Sequence, residues 1–377
     1  MKYFIIAGEA SGDLHGSQLI RELRDADSDA EFRFLGGDLM AQQAGVAPIV
    51  HYRDMAYMGF VEVAKHLRTI LGFLKTAKTA IGEFQPDAVI LIDYPSFNLK
   101  VAEFAHDRSV PVFYFISPKV WAWKEFRVKK IKRWVDDMFC ILPFEVDFYR
   151  KHDFEVDYVG NPTVKEIASA IESFGSEDDF YARHGLKAES PIIALVPGSR
   201  RKEIRDNLPT MIAASESMPD CQVMIAGAPG IEDEFYEQHM GGATLPVIMG
   251  ETFEVIYRAK VALVTSGTAT LETALLGTPQ VACYRMNGSK WLYRFYRMLI
   301  KGNFVTLPNL ITNRAIIPEL LLHDCSVENV IARLKALADG PDREQMLRDY
   351  ESLKKCLGDN DCTKSTAAKI IARLKKS

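Results

Sequence analysis

The chain has 377 residues, 48% of them hydrophobic and 25% charged, with a formal net charge of −4. That length exceeds one ordinary core and suits two domains. The slight acidity excludes a global basic field of the kind that binds nucleic acid. Six cysteines at 140, 221, 283, 325, 356 and 362 form no C-x-x-C pair and have no His cluster beside them, which argues against a disulfide framework or zinc site and for a reducing cytosol.

The N-terminus reads MKYFIIAGEASGD. Its apolar run, 2–8, is short and leads into a Gly-rich turn, so it predicts a first strand rather than a signal peptide. Residues 11–26 follow as an amphipathic helix with Leu14, Leu19, Ile20 and Leu23 on one side. Further apolar strands are expected at 32–37, 87–93, 110–117, 138–142 and 156–160. GNP at 160–162 closes this half, and a helical, then polar stretch runs from Thr163 to Ser190. The pattern then restarts with strands at 191–199, 222–227, 245–250, 261–267 and 279–286; beyond 327 the chain is helical and charged. Continuous apolar strands alternating with helices predict α/β architecture with parallel sheets covered on both faces. Two such arrays predict two facing Rossmann-like domains, 1–165 and 166–349, with a C-terminal helix at about 350–377 packing back on the first. Nowhere is there a run of roughly 18 apolar residues, so any membrane contact should be peripheral.

Ligands of open α/β sheets bind at the carboxyl ends of strands, which directs attention to the turns. Ser266, Gly267, Thr268 and Thr270 open a helix after the strand VALVT; free N–H groups and the helix dipole suit a diphosphate there. One turn further in, Glu272 can accept from ribose hydroxyls. Gly198 and Ser199 make a tight turn that presents Arg200, a residue type that grips phosphate with two hydrogen bonds. GEASGD (8–13) has neither dinucleotide-fingerprint nor Walker spacing, yet Glu9, Ser11, Gly12 and Asp13 stand at a helix start where acceptor or donor groups can rest. Asp93 ends a buried strand just before Pro95 and is the leading general base, with His15 and Glu9 as rivals. Asp136–Asp137 precedes a strand and lies away from such a site.

Two segments suit a lipid surface. Residues 60–78 place Phe60, Val63, Leu67, Ile70, Leu71 and Leu74 at helical spacing opposite Lys65, Arg68, Lys75 and Lys78, a pattern that an ordinary core-packed helix shares. Residues 285–301 interleave Trp291, Tyr293, Phe295 and Tyr296 with Lys290, Arg294, Arg297 and Lys301. The stretch 121–134 is similarly mixed.

In order and spacing the motifs GEASGD (8–13), MGFVEV (58–63), DYPSFN (93–98), SPKVWAW (117–123), LPFE (142–145), PGSR-x-x-E (197–203), SGTATLE (266–272), YRM (284–286) and LPNL (307–310) resemble the lipid-A-disaccharide synthase family. The resemblance runs over nearly the whole chain. It implies an inverting glycosyltransferase of the GT-B type that joins UDP-2,3-diacylglucosamine to 2,3-diacylglucosamine 1-phosphate (lipid X), giving a β-1,6 disaccharide phosphate and UDP. It implies catalytic roles for Asp93, Arg200 and Asn309, donor contacts at Tyr284 and Arg285, and a cleft position for Asn98. It also implies work at the cytoplasmic face of the inner membrane of a Gram-negative bacterium, through the helix at 60–78. Homodimerisation stays open. The chain departs from the family at Ser96, where some members carry a second Asp, and at GNP (160–162), where others often have Gly-His, so that no histidine role carries over to Asn161.

On these assignments Asp93 is expected to take the proton of the acceptor 6-hydroxyl, while Arg200 and the 266–270 helix start stabilise departing UDP. No cofactor or metal is expected, since no Asp-x-Asp pair stands near the diphosphate and the UDP-sugar is a substrate. Rival readings are another UDP-GlcNAc user on the same fold, either a 2-epimerase or a polyprenyl-acceptor transferase, and a non-catalytic nucleotide-sugar-binding protein.

Overall fold

A computed structural model describes residues 1–55, 67–123, 125–265, 267–285 and 304–376. The chain forms two compact units, Met1–Pro162 with Asp359–Ser377, and Thr163–Gly358.

The first unit is built on seven parallel strands: β1 (Lys2–Ala7), β2 (Glu31–Gly36), β3 (Val50–His51), β4 (Ala88–Ile92), β5 (Val112–Phe115), β6 (Asp137–Cys140) and β7 (Asp157–Tyr158), in the order β3-β2-β1-β4-β5-β6-β7. Its central strands are continuously apolar because both faces are covered. Phe4, Ile6, Val89 and Leu91 meet Ala77 and Ile81 of the helix Leu67–Phe84 and Val101 and Ala102 of the helix Pro95–His106. Tyr3, Ile5, Ile90 and Ile92 meet Leu19, Ile20 and Leu23 of the helix Ala10–Ala26. The C-terminal helix Cys362–Leu374 joins that second face through Ala367, Ile370 and Ile371. Burial at roughly 1.5–3 kcal/mol for each large aliphatic side chain outweighs the solvent-facing pairs Lys369–Asp157 and Arg373–Asp137, each worth about 1 kcal/mol or less.

The second unit carries six parallel strands: β8 (Ile192–Val196), β9 (Gln222–Gly227), β10 (Val247–Met249), β11 (Ala259–Thr265), β12 (Gln280–Tyr284) and β13 (Glu319–Leu321), in the order β10-β9-β8-β11-β12-β13. Each sheet therefore reverses its strand order once, between β1 and β4 and between β8 and β11, as in doubly wound Rossmann-like folds.

Several boundaries differ from the expectation. The return to the first unit starts at Asp359 rather than about 350. The helix Pro341–Leu357 runs on unbroken and buries Met346, Tyr350, Leu353 and Leu357 in the second unit, and Tyr350 accepts from Gln280 and donates to Thr278. The units meet in sequence at 162/163, not 165/166, one residue into the helix Pro162–Ser173. The edge strands β3 and β13 are too short to show a period. The mixed stretch 121–134 is broken into Val120–Trp123, a turn of 3-10 helix at Glu125–Arg127, and Val128–Trp134.

Candidate active site

In the first unit, the switch between β1 and β4 brings the GEASGD and DYPSFN turns side by side. Asp93 and Tyr94 both take left-handed backbone, at φ 42° and 47°. For non-glycine residues this costs on the order of 1–3 kcal/mol each and persists only when the surroundings enforce it. Here they do. The carbonyl of Asp93 accepts from Asn98 Nδ2 at 2.7 Å and from the hydroxyl of Tyr114; Asn98 also donates to Ile92 at 3.2 Å. The Tyr94 hydroxyl donates to Met55 at 3.0 Å, and its ring lies on Gly8, where a Cβ would fall 2.4 Å from Tyr94 Cγ. Glycine at 8 is what lets the two turns close on each other.

The Asp93 carboxyl is lifted to about 6, first by burial and then by the charge of Glu9; Lys119 and the N–H of Tyr94 oppose the rise. A carboxylate poised there is basic enough to take a proton and still ionised at neutral pH. The rival His15 is pushed down to about 4 by burial and is the weaker base. Asp13 departs from its expected place among the cleft residues. It is buried and accepts from the N–H groups of Gly37, Leu39 and Met40, so it caps the helix Asp38–Ala44. Ser11 is exposed, while Gly12 packs on Ala7. Asn98 is wholly buried and shapes the turn rather than lining it.

A second polar group lies beyond β5 and β6. The buried Glu145 accepts from the Trp121 indole at 3.2 Å and from the N–H of Leu142 at 3.2 Å, and burial raises its carboxyl to about 8. Ser117 and Tyr149 share a hydrogen bond of 2.8 Å. Arg127 donates to Ser96 at 2.9 Å, which ties the 3-10 turn to DYPSFN. Sequence reasoning missed these partners; the only signal was that SPKVWAW and LPFE each closely follow an apolar strand. Asp136 and Asp137 are occupied elsewhere, Asp136 with the N–H of Val112 and Asp137 with Arg373. Asn161 donates to Ile141 at 2.9 Å and closes the unit.

In the second unit, the switch between β8 and β11 brings PGSR beside the start of the helix Thr268–Leu276. Gly198 sits at φ 115°, and a Cβ there would fall 2.6 Å from Glu203 Cβ, so glycine is required for the turn. Glu203 reaches back over the start of the helix Arg201–Ser215. It accepts from the N–H of Ser199 at 3.1 Å and of Arg200 at 3.3 Å, and pairs with the exposed guanidinium of Arg200 at 2.8 Å. Asn207 on the same helix donates to the Glu203 carbonyl at 2.8 Å and accepts from the N–H of Arg285 at 2.7 Å, and the Arg285 guanidinium donates to Thr210. PGSR and Arg285 are thereby held on one helix, and Tyr284 joins them through the end of β12.

Gly267 and Thr268 are exposed at the helix start, whereas Thr270 is buried and donates to the Gly267 carbonyl at 2.8 Å. Ser266 lies outside the described residues, as do MGFVEV, residues 60–66 of the basic segment, and residues 286–301 of the aromatic one. Burial and the neighbouring Glu166 raise the Glu272 carboxyl to about 7. Asn309, for which the resemblance implies a catalytic role, lies beside β13. Its amide is buried, donates to Ile317 and Glu319 at 2.9 Å each, and accepts from the N–H groups of Ile316 and Ile317. With donors and acceptor occupied, it positions the loop beside β13. Glu319, which also accepts from Thr306, is its unforeseen partner.

The described part of the basic segment, within the helix Leu67–Phe84, packs Ile70, Phe73 and Leu74 against the core and leaves Leu71 exposed. Leu71, Lys75, Lys78, Phe104 and Arg108 line an open groove, with Arg108 stacked 3.6 Å over the Phe104 ring. Among the described residues no helix is long and apolar enough to cross a membrane.

The lipid-A-disaccharide synthetase family model matches residues 3–372. The chain is 37% identical to the lipid-A-disaccharide synthase of Myxococcus xanthus over 380 residues, 99% of this chain and 97% of that one. It is 36% identical to that of Syntrophus aciditrophicus over 381 residues, 99% and 98% respectively. In fold it is similar to a UDP-GlcNAc 2-epimerase from Neisseria meningitidis, with TM-score 0.68, 11% identity and full coverage of both chains. It is also similar to the glycotransferase of kitacinnamycin, with TM-score 0.63, 13% identity and coverage of 99% and 98%.

Proposed function

Because this chain belongs to the lipid-A-disaccharide synthase family and is a GT-B glycosyltransferase of lipid A synthesis, we propose that it joins UDP-2,3-diacylglucosamine to lipid X. The observation that carries this reading is the enforced, half-buried Asp93 at the β1/β4 switch, with its carboxyl near 6. Asp93 accepts the proton of the acceptor's 6-hydroxyl, and that oxygen attacks the anomeric carbon as the bond to UDP breaks, inverting the centre. The second unit holds the donor. Glu272 meets the ribose, the diphosphate lies at the start of the helix Thr268–Leu276, and Arg200 leaves Glu203 to meet the charge that builds on the departing UDP. The reading assigns no metal and no cofactor.

We also place the protein at the cytoplasmic face of the inner membrane, held peripherally. Exposed Leu71 beside Lys75, Lys78 and Arg108 supports this. The test of the activity is UDP release with lipid X as acceptor. The diacylated donor should outperform plain UDP-GlcNAc by at least about a hundredfold. Equal use of the two donors would return the chain to the rival class of UDP-GlcNAc enzymes.

A further inference from the structure

Two cations on neighbouring elements approach the turn that carries Asp93. Arg127 is half-buried and donates to the hydroxyl of Ser96 at 2.9 Å, three residues from Asp93 in the same turn. Its partner is a hydroxyl, so the hydrogen bond leaves the guanidinium charge unneutralised. The Lys119 side chain is exposed on the loop after β5, the strand that pairs with β4 and whose Phe115 carbonyl accepts from the N–H of Asp93 at 3.3 Å, and its charge offsets the rise of the Asp93 and Glu145 carboxyls. The loop is held from behind: Trp121 is fixed on Glu145 at 3.2 Å and stacks edge-on against Phe144 at 5.0 Å.

We propose that Arg127 and Lys119 form an anion subsite that recognises the phosphate monoester of the acceptor. This rests on the assignment of lipid X as acceptor to the first unit. A sugar 1-phosphate carries its phosphate and its nucleophilic 6-hydroxyl on the two flanks of the ring oxygen. A base and a cation pair around one turn can therefore grip both groups, and the cations offset the repulsion that Asp93 and Glu9 would impose on a dianion. The guanidinium suits a phosphate through paired N–H donors, and Ser96 adds a hydroxyl beside it.

The experiment compares lipid X with the same diacylglucosamine lacking its phosphate, in wild type, Arg127→Gln and Lys119→Gln. The readout is the ratio of kcat/KM for the two acceptors. Wild type should favour the phosphorylated one, and each substitution should lower that ratio by about tenfold or more. A ratio unchanged from wild type in both variants overturns the subsite, whatever happens to the absolute rates, as does a wild type indifferent to the phosphate. A wild type that makes no disaccharide from either acceptor overturns the acceptor assignment itself.

Discussion

Asn98 Nδ2 donates to the carbonyl oxygen of Asp93 at 2.7 Å and so holds the backbone of the proposed base in a left-handed conformation. The bond links a buried amide to a site whose chemistry the amide itself does not perform. Asn98→Ala should lower stability by about 1–3 kcal/mol and reduce kcat by at least about tenfold, with little change in UDP affinity. Urea unfolding and steady-state kinetics check it; an unchanged kcat would show that the turn keeps its shape without the amide.

Asp93 should leave a pH signature. With its carboxyl near 6, turnover should rise as pH passes through about 6 and level off above 7. Asp93→Asn should abolish that limb and lower kcat by about a hundredfold or more. A wild-type profile flat between pH 5 and 7 would contradict the assignment.

Glu145 should show its burial in stability rather than rate. Its folded carboxyl is raised above its ordinary value to about 8, so folding favours the protonated form. That contribution is complete below about 4.5 and is lost as pH rises through 8. The Tm of Glu145→Gln relative to wild type should therefore climb between pH 5 and 9. A constant difference in Tm across that range would mean that the carboxyl is not perturbed.

Arg200 is exposed and held by Glu203, so its removal should spare the fold. Arg200→Ala should lower kcat by about a hundredfold while Tm stays within about 2 °C. Because the proposed leaving-group stabilisation is this cation and a helix start, a strong chelator should leave wild-type turnover unchanged. Loss of activity on chelation, restored by a divalent cation, would contradict the metal-free reading.

The sheets and the turns at their switch points were legible because each motif closely follows an apolar strand: Asp93 after β4, Arg200 after β8, Gly267 after β11. What escaped the sequence depends on partners distant along the chain. Asp13 caps a helix through Gly37 and Met40, Asn309 is saturated by a loop and Glu319, and Glu145 grips Trp121. Residue type identified polar groups such as Asp13 and Asn309 as important; only the fold distinguishes a group that meets substrate from one that supports the turn. The end of the second unit was missed for a similar reason, since Met346 and Tyr350 look no different in sequence from residues of the returning helix.

The central claim is tested most directly by mass spectrometry of the product formed from UDP-2,3-diacylglucosamine and lipid X carrying distinguishable acyl chains. The account predicts one new ion that combines both acylglucosamines and retains a single phosphate, formed in step with UDP. UDP release without that ion, or no reaction at all, would contradict it.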